Sequence, residues 1–143
     1  IEELCEAAVV QLRSDLGAAR RMMEEARRMS AEAGTARSEG IARRTEGIVL
    51  WAENRYPAAQ ECFAEAVRRL EDAGEEVEAA RTRSNALQTL IYLSRYEEAL
   101  AWAEMAREVF LRHGEHLRLA RLDGNVANLL YRQDRFAESI ALY

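Results

Sequence analysis

The stretch Ser94-Arg95-Tyr96-Glu97-Glu98-Ala99-Leu100 decides the fold, because related stretches lie forty residues away on either side (96 − 56 = 40). The earlier copy is Asn54-Arg55-Tyr56-Pro57-Ala58-Ala59-Gln60, and the later copy is Asp134-Arg135-Phe136-Ala137-Glu138-Ser139-Ile140. A more divergent copy, Ser14-Asp15-Leu16-Gly17-Ala18-Ala19-Arg20, comes first. Self-similarity at one fixed period predicts a repeat architecture, in which one structural unit is stacked several times.

The superposed units share columns of similar residues. Each contains a large apolar residue, a small residue three positions later, a second small residue after seven more, and an apolar residue ahead of the turn. These columns are Leu16, Tyr56, Tyr96 and Phe136; Ala19, Ala59, Ala99 and Ser139; Ala26, Ala66 and Ala106; and Val10, Leu50, Leu90 and Leu130. Small side chains on one face of a helix let a second helix approach closely.

Turn signals divide the units into helices. A glycine ends each of the first three units, where a left-handed residue can close a helix: Gly34, Gly74 and Gly114. Residue types that favour caps and turns precede the large apolar column: Ser14, Asn54, Ser94 and Asp134. Pro57 falls in a first helical turn, where its missing N–H costs little. We predict an all-α protein with helices at about 1–13, 15–33, 35–53, 56–73, 75–93, 95–113, 115–133 and from 135 onward.

The columns resemble those of tetratricopeptide repeats. A small residue in the first helix (Ala7, Gly47, Ala127) and a bulky one in the second (Met23, Phe63, Tyr143) complete the pattern. The forty-residue units are similar to those of kinesin light chains, MalT-type bacterial regulators and the arrays that precede CHAT peptidase domains; Gly124–Tyr143 is most like the last group. One difference is the charge at a first-helix position usually held by Trp or Leu, namely Arg43, Arg83 and Asp123.

The resemblance implies a single array over residues 1–143, with units at about 1–34, 35–74, 75–114 and 115–143, the last incomplete. It also implies a right-handed superhelical solenoid whose first helices line the concave side. An incomplete last unit would expose apolar surface and favour self-association.

The third unit exchanges a large and a small residue relative to the other units. Leu87 occupies the small column of the first helix, and Ala103 occupies the bulky column of the second. Because protein interiors tolerate one-sided volume changes poorly, we predict that the two columns touch and that the exchange conserves volume.

Composition narrows the possible functions. A formal net charge of −5 argues against a nucleic-acid surface, and no apolar run reaches the roughly 18 residues that suggest a membrane span. Cys5 and Cys62 have no metal-ligand spacing, so we expect reduced thiols and a cytoplasmic protein. Because the chain begins at Ile1, we expect it to be part of a longer array.

No motif predicts catalysis, a metal or a cofactor. His113 and His116 flank the Gly114 helix stop, so they do not share one helical face as the two histidines of a zinc-protease helix do. No glycine-rich phosphate loop occurs, and neither cysteine has a nearby histidine as a base. We therefore expect a non-enzymatic protein.

The resemblance implies that a concave groove binds a peptide. Its predicted lining residues are Arg44, Ile48, Trp51, Arg81, Asn85, Gln88, Tyr92, Arg121, Asn125, Asn128, Tyr131 and Arg132. Asn and Gln can donate to and accept from a peptide backbone, and Arg can grip a carboxylate with two hydrogen bonds. The chaperone carboxylate clamp of this family is not supported, since Arg44 and Ile48 replace its first Lys–Asn pair. A peptide that is acidic or amide-rich at one end and apolar at the other suits the surface better.

Two functions follow from this pattern. The first is a protein–protein interaction module that binds a peptide or protein segment, as a regulatory or scaffold part of a larger protein whose effector is a CHAT-type peptidase or a transcription regulator. The alternative is a structural spacer or self-association scaffold whose groove holds no ligand.

Overall fold

A computed structural model describes residues 1–132, apart from the side chains of Ala33 and Arg132. This range contains seven α-helices and no strand: α1 (Glu2–Gln11), α2 (Leu16–Ala33), α3 (Ala36–Ala52), α4 (Tyr56–Asp72), α5 (Glu76–Tyr92), α6 (Tyr96–Arg112) and α7 (His116–Arg132). Every observed helix end lies within two residues of its predicted position. The all-α prediction is confirmed. The predicted eighth helix, from 135 onward, lies outside the described residues.

The helices repeat more regularly than the forty-residue unit requires. From α3 to α7 each helix has 17 residues, and successive helices begin 20 residues apart (56 − 36 = 20). The turns between them share one left-handed residue, with φ from 59° to 74°: Asn54, Gly74, Ser94 and Gly114. The next residue donates its backbone N–H to a carbonyl five positions earlier, as Arg55 does to Leu50 at 2.9 Å. This hydrogen bond is typical of a helix closed by a left-handed residue.

The first unit departs from this regularity. Gly34 has extended backbone (φ −77°, ψ 156°), so the left-handed stop predicted there is wrong. A capping box starts α3 instead: the Ser38 N–H donates to Thr35 Oγ1 at 3.1 Å, and the Thr35 N–H donates to Ser38 Oγ at 2.8 Å. The box satisfies backbone donors at the start of α3 without a left-handed residue.

Val10 also breaks its column. Its side chain is 74% exposed, whereas Leu50, Leu90 and Leu130 are buried. Helix α1 ends at Gln11, one residue before the position that matches the end of α3 (52 − 40 = 12), and the turn after it contains no left-handed residue. The turn after α1 therefore differs from the later turns, and Val10 is exposed although it belongs to the same apolar column.

The helices form two layers, here called inner and outer. In the described chain α1 contacts α3, α3 contacts α5 and α5 contacts α7, whereas α2, α4 and α6 do not contact one another. Each outer helix instead packs between the two inner helices that flank it in sequence. The inner helices are therefore more closely spaced, and the stack is concave on their side.

The predicted small columns form the contact between the layers. Every described alanine of these columns has no exposed surface: Ala19, Ala59, Ala99, Ala26, Ala66 and Ala106. Leu87 and Ala103 belong to one buried cluster that joins α5, α6 and α7. The columns they represent touch in the second unit, where Gly47 lies against the ring of Phe63.

Charged side chains replace the usual apolar residue at one position of α3, α5 and α7, and they pair with an outer helix. Arg43 lies 3.3 Å from Glu65, Arg83 lies 3.2 Å from Glu71, and Asp123 pairs with Arg107. The Arg83 guanidinium also lies 5.8 Å from the ring centre of Trp102. Each of these charges thereby has a partner of opposite sign, although the buried Nε of Arg83 has no hydrogen-bond partner among the described residues.

None of the described helices combines the length and the apolar character needed to cross a bilayer.

Candidate functional site

The inner face of α1, α3 and α5 encloses the larger of two neighbouring cavities, with a volume of about 450 Å³. We call it the α1/α3/α5 cavity. Its lining combines apolar side chains, including Val9, Val10 and Ile48, with charged and polar ones from all three helices. The charged and polar residues include Glu2, Glu6, Arg37, Arg81 and Asn85.

A buried ion pair forms part of the wall of this cavity. Arg44 Nη1 donates to Glu78 Oε2 at 2.6 Å and to the Glu78 carbonyl at 3.4 Å, and both side chains are about nine-tenths buried. Burial lowers the pKa of Arg44, although the hydrogen bond to Glu78 opposes that shift. Burial would raise the pKa of Glu78, but the hydrogen bond from Arg44 and the charges of Arg44 and Arg81 lower it overall.

Glu78 also links neighbouring arginines. Arg81 Nη1 donates to Glu78 Oε1 at 3.0 Å, and Arg37 lies 3.4 Å from the same oxygen. Arg37 in turn donates to Glu75 at 2.6 Å and to Glu2 at 3.2 Å. The network joins α1, α3 and α5 and fixes the spacing of the inner helices along the groove.

The second cavity lies between α5 and α7 and has a volume of about 130 Å³. We call it the arginine cavity. Its lining consists of Arg81, Ser84, Asn85, Arg118, Arg121 and Phe110. Arg81 and Asn85 line both cavities, so the two are adjacent along the inner face.

Amide side chains on α5 and α7 occupy matching positions. Asn85 and Asn125 are forty residues apart, as are Gln88 and Asn128, and the two helices also begin forty residues apart (116 − 76 = 40). The four amides therefore lie on the same face of their helices. None of them is fully buried, and none makes a side-chain hydrogen bond to another described residue.

Exposed aromatic residues lie at the C-terminal ends of the inner helices. Trp51 and Tyr131 are the penultimate residues of α3 and α7, and Tyr92 is the last residue of α5. The Tyr92 ring stacks on Tyr56, with centroids 4.8 Å apart and planes within 6°. Tyr92 is thereby held in one orientation while half of its surface stays exposed.

The structure brings together part of the predicted groove. Four of the predicted residues line the α1/α3/α5 cavity: Arg44, Ile48, Arg81 and Asn85. Two of these, Arg81 and Asn85, also line the arginine cavity, together with a fifth predicted residue, Arg121. Six others lie on the inner helices but line neither cavity: Trp51, Gln88, Tyr92, Asn125, Asn128 and Tyr131. The side chain of Arg132 lies outside the described residues. Arg44 differs from the rest because its guanidinium already forms an ion pair with the carboxylate of Glu78.

Several residues of the site were not predicted. Arg118 precedes Arg121 by almost one helical turn, so the spacing could have indicated it. Val9 and Val10 of α1 line the α1/α3/α5 cavity. The role of Glu78 could not be read from local sequence, because its partner Arg44 lies in the preceding unit.

His113 makes a side-chain ion pair, and both cysteines are buried. His113 follows α6, and its Nε2 lies 2.9 Å from Glu76 Oε2; hydrogen bonds from His113 and Arg112 lower the pKa of Glu76. Cys5 and Cys62 are buried thiols, and burial together with the charge of Glu46 raises the pKa of Cys62 to about 11. Within residues 1–132, no three His, Cys, Asp or Glu side chains are grouped so that they could hold a metal ion.

No protein-family model matches the chain, and no curated protein is significantly similar to it.

Proposed function

We propose that the chain is a tetratricopeptide-like interaction module that binds an extended peptide or protein segment along its inner face. The observation that carries this proposal is the set of amides on α5 and α7. Asn85, Gln88, Asn125 and Asn128 have no side-chain partner among the described residues, although each can donate and accept hydrogen bonds. A peptide backbone needs this combination of donors and acceptors, spaced along its length.

Pairing elsewhere in the chain supports this interpretation. Most arginines are already engaged by carboxylates, both on the outer helices, as in Arg69–Glu65 at 2.9 Å, and between layers, as in Arg20–Glu53 at 2.7 Å. The inner face of α5 and α7 differs in that it groups four amides without such partners on one surface. Exposed Trp and Tyr nearby add the residue types that most often dominate binding energy at interfaces.

The groove supports a peptide of uneven character. Its first part offers Val10 and Ile48 beside the carboxylates of Glu2 and Glu6, and its later part offers Asn85 and Arg121. A ligand with apolar side chains at one end and polar or acidic side chains at the other would match both parts. We further propose that such binding regulates or positions the rest of a larger protein.

Selection from a random peptide library tests the proposal. A selected peptide is synthesised, and its affinity is measured for the unmodified chain and for Asn85→Ala/Asn125→Ala. The double variant should lose at least about tenfold in affinity, as expected for two lost hydrogen bonds, while its melting temperature stays within a few degrees. N-methylation of single backbone amides of the peptide should weaken binding at the positions that contact the two asparagines.

Arg21→Ala/Arg68→Ala serves as the matched control. Both arginines are exposed on the outer helices, and neither has an ion-pair partner among the described residues. This variant should bind as the unmodified chain does. Failure to select any peptide, or a loss of folding rather than binding in the asparagine variant, would favour the spacer or self-association scaffold.

A further inference from the structure

We propose that the contact between α4 and α5 binds a single internal water molecule through the side chains of Gln60 and Thr89. The two residues belong to different repeat units, so this water joins the second unit to the third. The inference is independent of the peptide groove, because Gln60 lies on an outer helix and both side chains are buried.

Gln60 and Thr89 carry three buried polar atoms that need a hydrogen-bond partner. Gln60 is 3% exposed, and Thr89 has no exposed surface. The amide nitrogen and oxygen of Gln60 and the hydroxyl of Thr89 make no hydrogen bond to any residue that the structure describes. Because buried polar groups in folded proteins are almost always paired with protein or with ordered water, these three atoms point to a bound ligand.

The register of α4 against α5 places the two side chains opposite each other. The helices are consecutive and antiparallel, and contacts on either side of the site fix their register: Phe63 and Ala86 share a buried cluster, and Tyr56 stacks on Tyr92 at the helix ends. Gln60 lies three residues from Phe63 toward that end of the interface, and Thr89 lies three residues from Ala86 in the same direction.

Thr89 differs from the two other buried threonines of the inner helices. Thr45 donates its hydroxyl to the Ile41 carbonyl at 2.9 Å. Thr82 donates to the Glu78 carbonyl at the same distance. Such a bond to the carbonyl four residues earlier satisfies a threonine within its own helix, and Thr89 does not make it. The Thr89 hydroxyl is therefore available to a ligand.

The chemistry and the size of the site suit water. A primary amide can donate to a water oxygen and accept from the same water, whose second O–H can then be donated to the Thr89 hydroxyl oxygen. The equivalent positions one unit later are Leu100 and Leu129, which are both larger than Gln60 and Thr89. The smaller pair leaves room for a water of about 30 Å³, and a buried water typically makes about three hydrogen bonds.

Oxygen-17 relaxation dispersion of the full chain counts its long-lived internal waters in solution. Gln60→Leu/Thr89→Leu copies the leucine pair of the next unit, and it should remove about one such water without lowering the melting temperature. Arg21→Ala/Arg68→Ala, at exposed positions on the outer helices, should leave the count unchanged. Thr89→Val keeps the shape of the side chain but deprives the water of a partner, so it should lower the melting temperature by several degrees.

Other results would overturn the proposal. One is a water count that the double variant leaves unchanged. Another is a crystal structure of the unmodified chain in which Gln60 bonds directly to Thr89, or in which Thr89 donates to the Asn85 carbonyl, with no water at the site. If the leucine variant does not fold, Thr89→Val decides, since an unchanged or raised melting temperature would show that the hydroxyl binds nothing.

Discussion

Gly47 of α3 lies directly against the ring of Phe63 of α4. A Cβ placed on Gly47 would stand 2.8 Å from Cε1 and 2.9 Å from Cδ1 of that ring, closer than carbon atoms normally approach. The third unit has the opposite arrangement at the corresponding positions, with the large Leu87 on the inner helix and the small Ala103 on the outer one. The same contact between layers is thus filled in two ways, with the volume supplied from either side.

Gly47→Ala should destabilise the chain even though alanine favours helix. Overpacking of this kind costs about 1–3 kcal/mol, which outweighs the roughly 0.8–1.0 kcal/mol that Gly to Ala gains in a helix. Gly124→Ala in α7 is the control, since its new Cβ would meet nothing within 4 Å, and it should stabilise by about that helix gain. Urea unfolding of both variants measures the difference.

Exchanging volume between the layers tests the contact itself. Gly47→Leu and Phe63→Ala should each be strongly destabilising, the second by about 3–5 kcal/mol. The double variant reproduces the arrangement of the third unit and should be more stable than the sum of the single effects predicts, by more than about 1 kcal/mol. Strict additivity in this cycle would show that the two columns do not share one space.

Substitutions at the left-handed residues of two equivalent turns, Ser94 and Gly74, should change the stability of the chain in opposite directions. Ser94 has φ 59°, a conformation that costs a residue with a Cβ about 1–2 kcal/mol, so Ser94→Gly should stabilise the chain by about 1 kcal/mol. Gly74→Ala should destabilise it by a similar amount, although the new Cβ would touch nothing. Thermal unfolding measures both. A destabilised Ser94→Gly variant would contradict the backbone assignment of this turn.

Removing one partner of the buried Arg44–Glu78 pair should destabilise the chain more than replacing both residues with apolar ones. Arg44→Met leaves the carboxylate of Glu78 largely buried without its main partner, and such a change typically costs about 3–5 kcal/mol. The double variant Arg44→Met/Glu78→Leu removes both charges and should recover most of that loss. Denaturant unfolding of the single and double variants provides the measurement, and a double variant less stable than Arg44→Met would contradict the account.

The same pair makes stability depend on pH. Because the pKa of Glu78 is lowered in the folded chain, its contribution is present above the unfolded-state value of 4.5 and is lost as pH falls below it. Glu78→Gln should therefore flatten the fall of the unfolding free energy below pH 4.5. Glu61→Gln, at an exposed carboxylate without an ion pair among the described residues, should leave the slope as in the unmodified chain.

Cys62 should react slowly with alkylating agents. At a pKa of about 11, the thiolate fraction near neutral pH is about a hundredfold below that of an ordinary thiol with a pKa of 9.0, and burial hinders access further. In a Cys5→Ala background, iodoacetamide should label Cys62 slowly in buffer and rapidly in guanidinium. Equal rates in the two solvents would show that Cys62 is exposed in the folded chain.

Local sequence was sufficient to predict the helices and the small columns. Tyr56 and Tyr96 begin α4 and α6, and Ala59 and Ala99 are completely buried. These features depend on periodicity and on residue size, which the sequence displays directly. The left-handed role of Ser94 was less visible, because only glycine marks such a position strongly.

The site was harder to predict, since its chemistry depends on partners in other units. From its own position in the sequence, Arg44 is expected to be a positively charged residue of the groove. In the folded chain, however, Glu78 from the next unit neutralises its charge. Arg121 was predicted to line the groove and lies in the arginine cavity. Whether an arginine is free to bind therefore depends on the distribution of carboxylates across the inner face, which only the packed structure reveals.

Side-chain NMR of the full chain during titration with a library-selected peptide tests the peptide-binding groove most directly. Binding along the inner face should shift the amide signals of Asn85 and Asn125 and the guanidinium signal of Arg121, while Arg21 and Arg68 on the outer helices stay unchanged. Shifts confined to the outer helices, or the absence of any shift at the two asparagines in a saturated complex, would contradict the proposed groove.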